Sequence, residues 1–133
     1  MKRWICLLAF THSLAAAQQA TCPEALAEGA TAITRAPAGW TPSTSLARIS
    51  SGGMMSGPPE KIAYLVPITT IKRHQQSVDV WSFRRGDEKW LWCGYGAESL
   101  QLAKRMDDKA TECKVTGSRD KHGHLERISV TCK

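Results

Sequence analysis

The sequence predicts a mainly β protein, with α+β as the nearest alternative class: one small antiparallel β domain carrying one short helix and two disulfides. Three observations predict it. Five of the nine aromatics fall in Val78–Tyr95, where two runs alternate with period two. The chain opens on an apolar leader. Once that leader is set aside, an even number of cysteines remains.

In the leader, Lys2 and Arg3 precede Trp4–Phe10, and Ala15, Ala16 and Ala17 supply the small residues that signal peptidase requires. Residues 1–17 read as a cleaved secretory signal peptide and 18–133 as the disulfide-tied β domain. Thr11, His12 and Ser13 interrupt the apolar run well short of the roughly 20 residues that span a bilayer, so no membrane anchor is expected. Gln19-Ala20-Thr21 before Cys22 also lacks the character of a lipid-attachment box. Lys and Arg total 18 against 12 Asp and Glu, and two of the cations leave with the leader. The modest, scattered excess that remains describes a solvated surface and not a nucleic-acid partner.

Cys6 leaves with the leader, while Cys22, Cys93, Cys113 and Cys132 stay. In an exported chain these form two disulfides, and their spacing matches no structural zinc site. Three connectivities are open.

Taken in order, Gln18–Ala36 is broken by Gly29 and leans to strand, and Pro37–Pro42 is a turn with Trp40 tucked against the core. Leu46–Ser51 is a weak strand that Gly52-Gly53 loosens, and Gly57-Pro58-Pro59 is a loop or sheet edge. Lys61–Val66 reads as a buried strand or a helical turn, and Ile68–Gln76 as a polar connector. Val78–Phe83 and Trp90–Tyr95 then pair as a β-hairpin about Arg84–Glu88. Ser99 caps a short helix with Leu102 and Met106 on one face. The last strands, Ala110–Thr116 and Leu125–Cys132, form a second hairpin whose register sets Cys113 against Cys132 and Val115 against Val130.

With the central hairpin and helix in place, Cys93–Cys113 and Cys22–Cys132 are the expected pairs, worth about 3 and about 4–5 kcal/mol by loop entropy. A direct Cys113–Cys132 bridge across the last hairpin is the rival.

Several motifs suggest chemistry and carry little of it. Arg85-Gly86-Asp87 spells an adhesion tripeptide in residues that are ordinary turn formers. Ser118-x-x-Lys121 lies in a glycine-flanked loop and not on the buried helix that acyl-enzyme chemistry needs. His122 and His124 lack a third ligand nearby, and His74 has no assignable partner. No catalytic, cofactor-binding or metal-binding set stands out, so no cofactor is expected and the chain reads as a binding protein and not an enzyme.

Cys22-Pro23, Gly39-Trp40-Thr41, Gly57-Pro58-Pro59, Leu65-Val66-Pro67, Trp81-Ser82-Phe83, Trp90-Leu91-Trp92-Cys93-Gly94-Tyr95, Cys113-Lys114-Val115 and terminal Cys132 stand in an order that resembles a family of small exported proteobacterial proteins, whose founding member lies in a Salmonella genomic island. The resemblance covers nearly the whole mature chain. It implies one periplasmic, mainly β domain with two disulfides and no cofactor, and an association with toxin and type VI secretion genes that points to immunity. Two places depart from the family pattern: Gly96-Ala97-Glu98 replaces a Gly-Thr turn, and Met54-Met55-Ser56 replaces an aromatic segment.

The expected function is that of a periplasmic or secreted inhibitor or immunity-type protein, with a protein partner such as an envelope-targeting toxin or enzyme. Arg84 and Arg85 at a loop tip are the candidate contacts. The alternative is an envelope structural or stress protein that binds glycan or another cell-wall component through exposed Trp side chains.

Overall fold

The computed structural model describes residues 16–133, so residues 1–15 of the expected leader lie outside it. Among the described residues, nine antiparallel strands form two sheets. They are β1 (Gln18–Thr21), β2 (Ala25–Leu26), β3 (Ala47–Ser56), β4 (Thr69–Arg73), β5 (Gln76–Ser82), β6 (Lys89–Tyr95), β7 (Leu100–Arg105), β8 (Glu112–Arg119) and β9 (Leu125–Cys132). One sheet runs β1-β9-β8-β5-β4 and the other β2-β3-β6-β7. The mainly β class therefore holds, in the form of a sandwich.

Alternation builds the core. Trp81, Cys113, Val115, Ile128, Val130 and Cys132 face inward from one sheet, and Ile49, Met54, Leu91, Cys93 and Tyr95 from the other. The sheets approach closely at Gly52 of β3, where an added Cβ would lie 2.7 Å from Ile128 Cδ1. Gly52-Gly53 was expected to loosen the strand, yet both glycines sit within β3, because only a residue without a side chain admits Ile128 and the Trp92 indole there.

The expected central hairpin does not form. β5 pairs with β4 and β8, while β6 pairs with β3 and β7 in the opposite sheet. Arg84–Glu88 is thus part of a connector that carries the chain from one sheet to the other. Trp81 and Leu91 both need burial, and placing them on opposite sheets of a sandwich buries both in one core. The true hairpin partner of β5 is β4, expected to be a polar connector, joined to it through His74-Gln75. All five β4 residues are exposed, so no burial requirement imposes apolar alternation on the strand.

The expected helix after Ser99 is strand β7, with Leu102 exposed and Met106 beyond its end and buried. Ser99 Oγ donates to Gly96 O within the preceding turn and caps no helix. Ala97 (φ 54°) and Glu98 (φ 68°) hold the left-handed geometry of a type I′ hairpin turn, closed by Ser99 N–H to Gly96 O at 3.3 Å. Lys61–Val66 is neither buried strand nor α-helical turn: a 3₁₀ turn at Pro59–Lys61 leads into extended chain with one bridge, Met55 to Tyr64. Gln18–Ala36 holds only the short strands β1 and β2. Trp40, expected against the core, is 75% exposed.

The four cysteines form two disulfides, paired otherwise than expected: Cys22–Cys93 and Cys113–Cys132. The last hairpin does have its expected register, with Cys113 opposite Cys132 and Val115 opposite Val130. That register brings the Cys113 and Cys132 Cα atoms to 4.1 Å, a non-hydrogen-bonded cross-strand pair, and so selects the rival bridge. Cys22, just after β1, is left to reach Cys93 on β6 and ties one sheet to the other.

Non-reducing peptide mapping will recover these two pairs. Replacing Cys22 and Cys93 by Ser will cost about 4 kcal/mol, against about 3 kcal/mol for Cys113 and Cys132, because the first pair closes the longer loop. Equal losses in urea denaturation would contradict this assignment.

Candidate partner interface

At one end of the sandwich the Arg84–Glu88 connector crosses between β5 and β6. Its turn is closed locally: Arg84 N–H donates to Asp87 Oδ2 at 2.9 Å, Asp87 N–H donates to Arg84 O at 3.1 Å, and Gly86 takes the left-handed conformation (φ 93°). Gly86 N–H also donates to Asp108 O at 2.7 Å, joining the connector to the turn after β7.

Lys89 fixes both segments. It is fully buried, and its Nζ donates to the carbonyls of Asp87 (2.7 Å), Asp108 (3.0 Å) and Asp107 (3.2 Å), with the Phe83 ring 5.2 Å away. Burial pushes its pKa below the usual lysine value, and the Asp108, Asp87 and Asp107 carboxylates pull it back up. A hydrogen bond from Arg105, whose Nη2 is 2.7 Å from Asp108 Oδ2, leads the effects that hold Asp108 below the usual carboxylate value. Arg84 and Arg85 stand exposed on this anchored tip, with the Arg84 side chain 92% accessible and its Nε 3.6 Å from Asp87. Sequence reasoning missed Lys89. Its one signal was a lysine opening a strand of alternating buried residues.

At the opposite end the β4–β5 turn, the β8–β9 loop and the start of β3 gather. They border an open groove of about 790 Å³ lined by Glu24, Arg48, Asp120, His124 and Arg127. A second hollow of about 410 Å³ adjoins it, between Arg73, His74 and Arg119. Asp120 organises this loop by accepting from His122 N–H (2.8 Å), His124 N–H (2.9 Å) and His124 Nδ1 (3.3 Å). Burial pushes the Asp120 carboxyl up, but these hydrogen bonds outweigh it and the net shift is downward.

The sequence motifs thereby acquire ordinary structural roles. His122 and His124 belong to a capped turn, with ring centroids 6.3 Å apart, and no three metal-ligating side chains converge among the described residues. Ser118 ends in β8 and Lys121 in the loop, with no helix to present them together. The two ends are separate surfaces, so Arg84 and Arg85 do not join His74, His122 or His124. Trp81 is buried and Trp90 and Trp92 are half-buried, which leaves Trp40 as the exposed tryptophan of the described residues.

A family model described as the type VI secretion system Tli immunity protein matches residues 42–133. No curated protein and no solved structure matches significantly.

Two outcomes test the anchors. Lys89→Met keeps the bulk and leaves three carbonyls without their donor, and urea denaturation will show a loss of about 2–4 kcal/mol. The Asp120 pKa is lowered in the fold, so its charge stabilises above the unfolded value of 3.8 and that contribution disappears as pH falls through the lower native value. The stability gap between wild type and Asp120→Asn will accordingly hold from about pH 5 to 7 and close in stronger acid. A gap unchanged in acid would show that the carboxylate charge contributes nothing.

Proposed function

The chain belongs to the type VI secretion system Tli immunity protein family, the match spanning β3 to β9, and we propose that it acts in the periplasm by binding and inhibiting an effector aimed at the cell envelope. It is a binding protein with no catalytic step of its own. The family match is the observation that carries this reading.

The fold is compatible with export: cleavage after Ala17, the expected site, would leave β1, which begins at Gln18, intact. Two disulfides suit an oxidising compartment. No helix among the described residues is long and apolar enough to cross a membrane.

Inhibition by occlusion requires a rigid surface, because flexible contacts lose affinity to ordering entropy. Arg84 and Arg85 meet that requirement as the proposed contacts. Their loop is fixed from below by Lys89, and their exposed guanidinium groups, Arg84 engaged only by a 3.6 Å ion pair from Nε to Asp87, can grip carboxylates of the effector in the bidentate manner that arginine favours.

Co-expression with effectors of the same genome directed to the periplasm tests the reading. The full chain will protect cells against its cognate effector and will accumulate as a form starting at Gln18, whereas a chain lacking residues 1–17 will not protect. Equal protection by the leaderless chain would overturn the periplasmic site, and full effector activity at saturating protein would overturn inhibition. Replacing Arg84 and Arg85 by Glu will weaken binding at least about thirtyfold with unchanged Tm. An unaltered Kd would remove both residues from the interface.

A further inference from the structure

Building on the immunity reading, we infer that β4 and the apolar run leading into it form a docking edge for an extended segment of the effector. That segment joins the five-stranded sheet as a sixth strand. It carries apolar side chains at alternate positions and a carboxylate where it meets Lys72 and Arg73.

β4 closes one side of its sheet, and among the described strands it alone has every residue exposed. An antiparallel ladder engages the backbone of alternate residues, so β4 also presents N–H and C=O groups away from β5 with no strand to receive them. Edges are ordinarily blunted with charge. Here Lys72 and Arg73 blunt only the end beside the turn, and Thr69, Thr70 and Ile71 carry none.

The chain approaching this edge is unusually apolar for an exposed connector. Of the nine exposed large hydrophobics among the described residues, five lie between Ile62 and Ile71. Ile62, Tyr64, Val66 and Ile68 are exposed, whereas Ala63, Leu65 and Pro67 between them are half-buried. Fraying does not account for this, because hydrogen bonds fix the backbone on its inner side. Ser56 N–H donates to Ala63 O (2.9 Å), Leu65 N–H to Met54 O (3.0 Å), Ile68 N–H to Val80 O (2.8 Å) and Trp81 Nε1–H to Leu65 O (3.2 Å). Val66 at 87% and Ile68 at 69% exposure are held out into solvent. Ile62, a β-branched residue at φ 51°, begins the run in a costly conformation. A fixed apolar patch continuous with an open strand edge has the features of β-strand addition, in which backbone bonds give affinity and alternate side chains give specificity.

Charge selects the occupant. Lys61, Lys72 and Arg73 make no ion pair among the described residues, and the Asp79 carboxylate beside β4 is engaged by Thr70 Oγ1. Two-fold pairing of β4 with a second copy about Ile71 would set Thr70 against Lys72 and Thr69 against Arg73, supplying no counter-charge to either cation. An effector strand that bears a carboxylate supplies one.

The probe is the purified effector that the protection assay identifies. Val66→Asp places a charge at an 87% exposed position and keeps the wild-type Tm, whereas Ile71→Asp, at a 46% exposed strand position, folds with a slightly lower Tm. Each will weaken the complex at least tenfold, and the β4 amides will gain hydrogen-exchange protection when the wild-type complex forms. If both variants bind as tightly as wild type, or the β4 amides exchange as in the free protein, the docking edge is refuted while the immunity reading stands. If wild type neutralises no effector, the immunity reading fails and the docking edge with it. A free protein that is dimeric, and that Val66→Asp and Ile71→Asp render monomeric, would assign the edge to self-pairing and overturn the proposal.

Discussion

The approach of β3 to β9 is the constraint on which the sandwich depends. Gly52 lacks the side chain that would collide with Ile128, so the sheets close until Met54, Leu91 and Tyr95 meet Val115, Ile128 and Val130 in one core. Cys22–Cys93 holds that closure covalently, and the Tyr95 hydroxyl reinforces it by donating to Pro23 O at 2.8 Å. A bulkier residue at position 52 would part the sheets or push Ile128 off its rotamer, at a cost of about 1–3 kcal/mol.

Upon this scaffold each end has its own device for making a loop rigid. Lys89 gathers three carbonyls with one ammonium, and Asp120 gathers two backbone N–H groups with one carboxylate. In both cases a charged group replaces the hydrogen bonds that irregular backbone would otherwise make to water. The loops can therefore present Arg84 and Arg85, or His122 and His124, on a fixed frame. The β6–β7 turn differs: Ala97 and Glu98 adopt backbone angles that Asn and Gly hold with less strain, and it retains that strain at an exposed hairpin tip.

The binding surfaces follow from how the sheets end. Closed barrels have no edges, whereas an open sandwich leaves edge strands, here the short β1 and β2 and the longer β4 and β7. On β7, Gln101 is occupied by hydrogen bonds with the Tyr64 hydroxyl, and Arg105 by Asp108. β4 has no equivalent cover beyond Lys72 and Arg73, and its approach is apolar. The two proposed contact regions, the Arg84–Arg85 tip and the β4 edge, thus use different physics: exposed charge on an anchored turn in one, and free backbone with apolar side chains in the other.

Sequence alone determined what local pattern and chemistry determine. Alternation marked β5, β6, β8 and β9, the paired valines and cysteines set the register of the last hairpin, and the even cysteine set implied two disulfides. Turn chemistry marked Arg84–Glu88 as an exposed tip. Tertiary structure decided the rest, because period two says which residues share a face but not which strand lies alongside. Whether Trp81 and Leu91 are neighbours in one sheet or opponents across a core depends on burial from both sides, and the pairing of Cys22 with Cys93 follows from that choice. β4 escaped notice because a strand exposed on both faces has no burial pattern to betray it. Lys89 escaped because its partners are backbone carbonyls, which every residue carries and no sequence distinguishes.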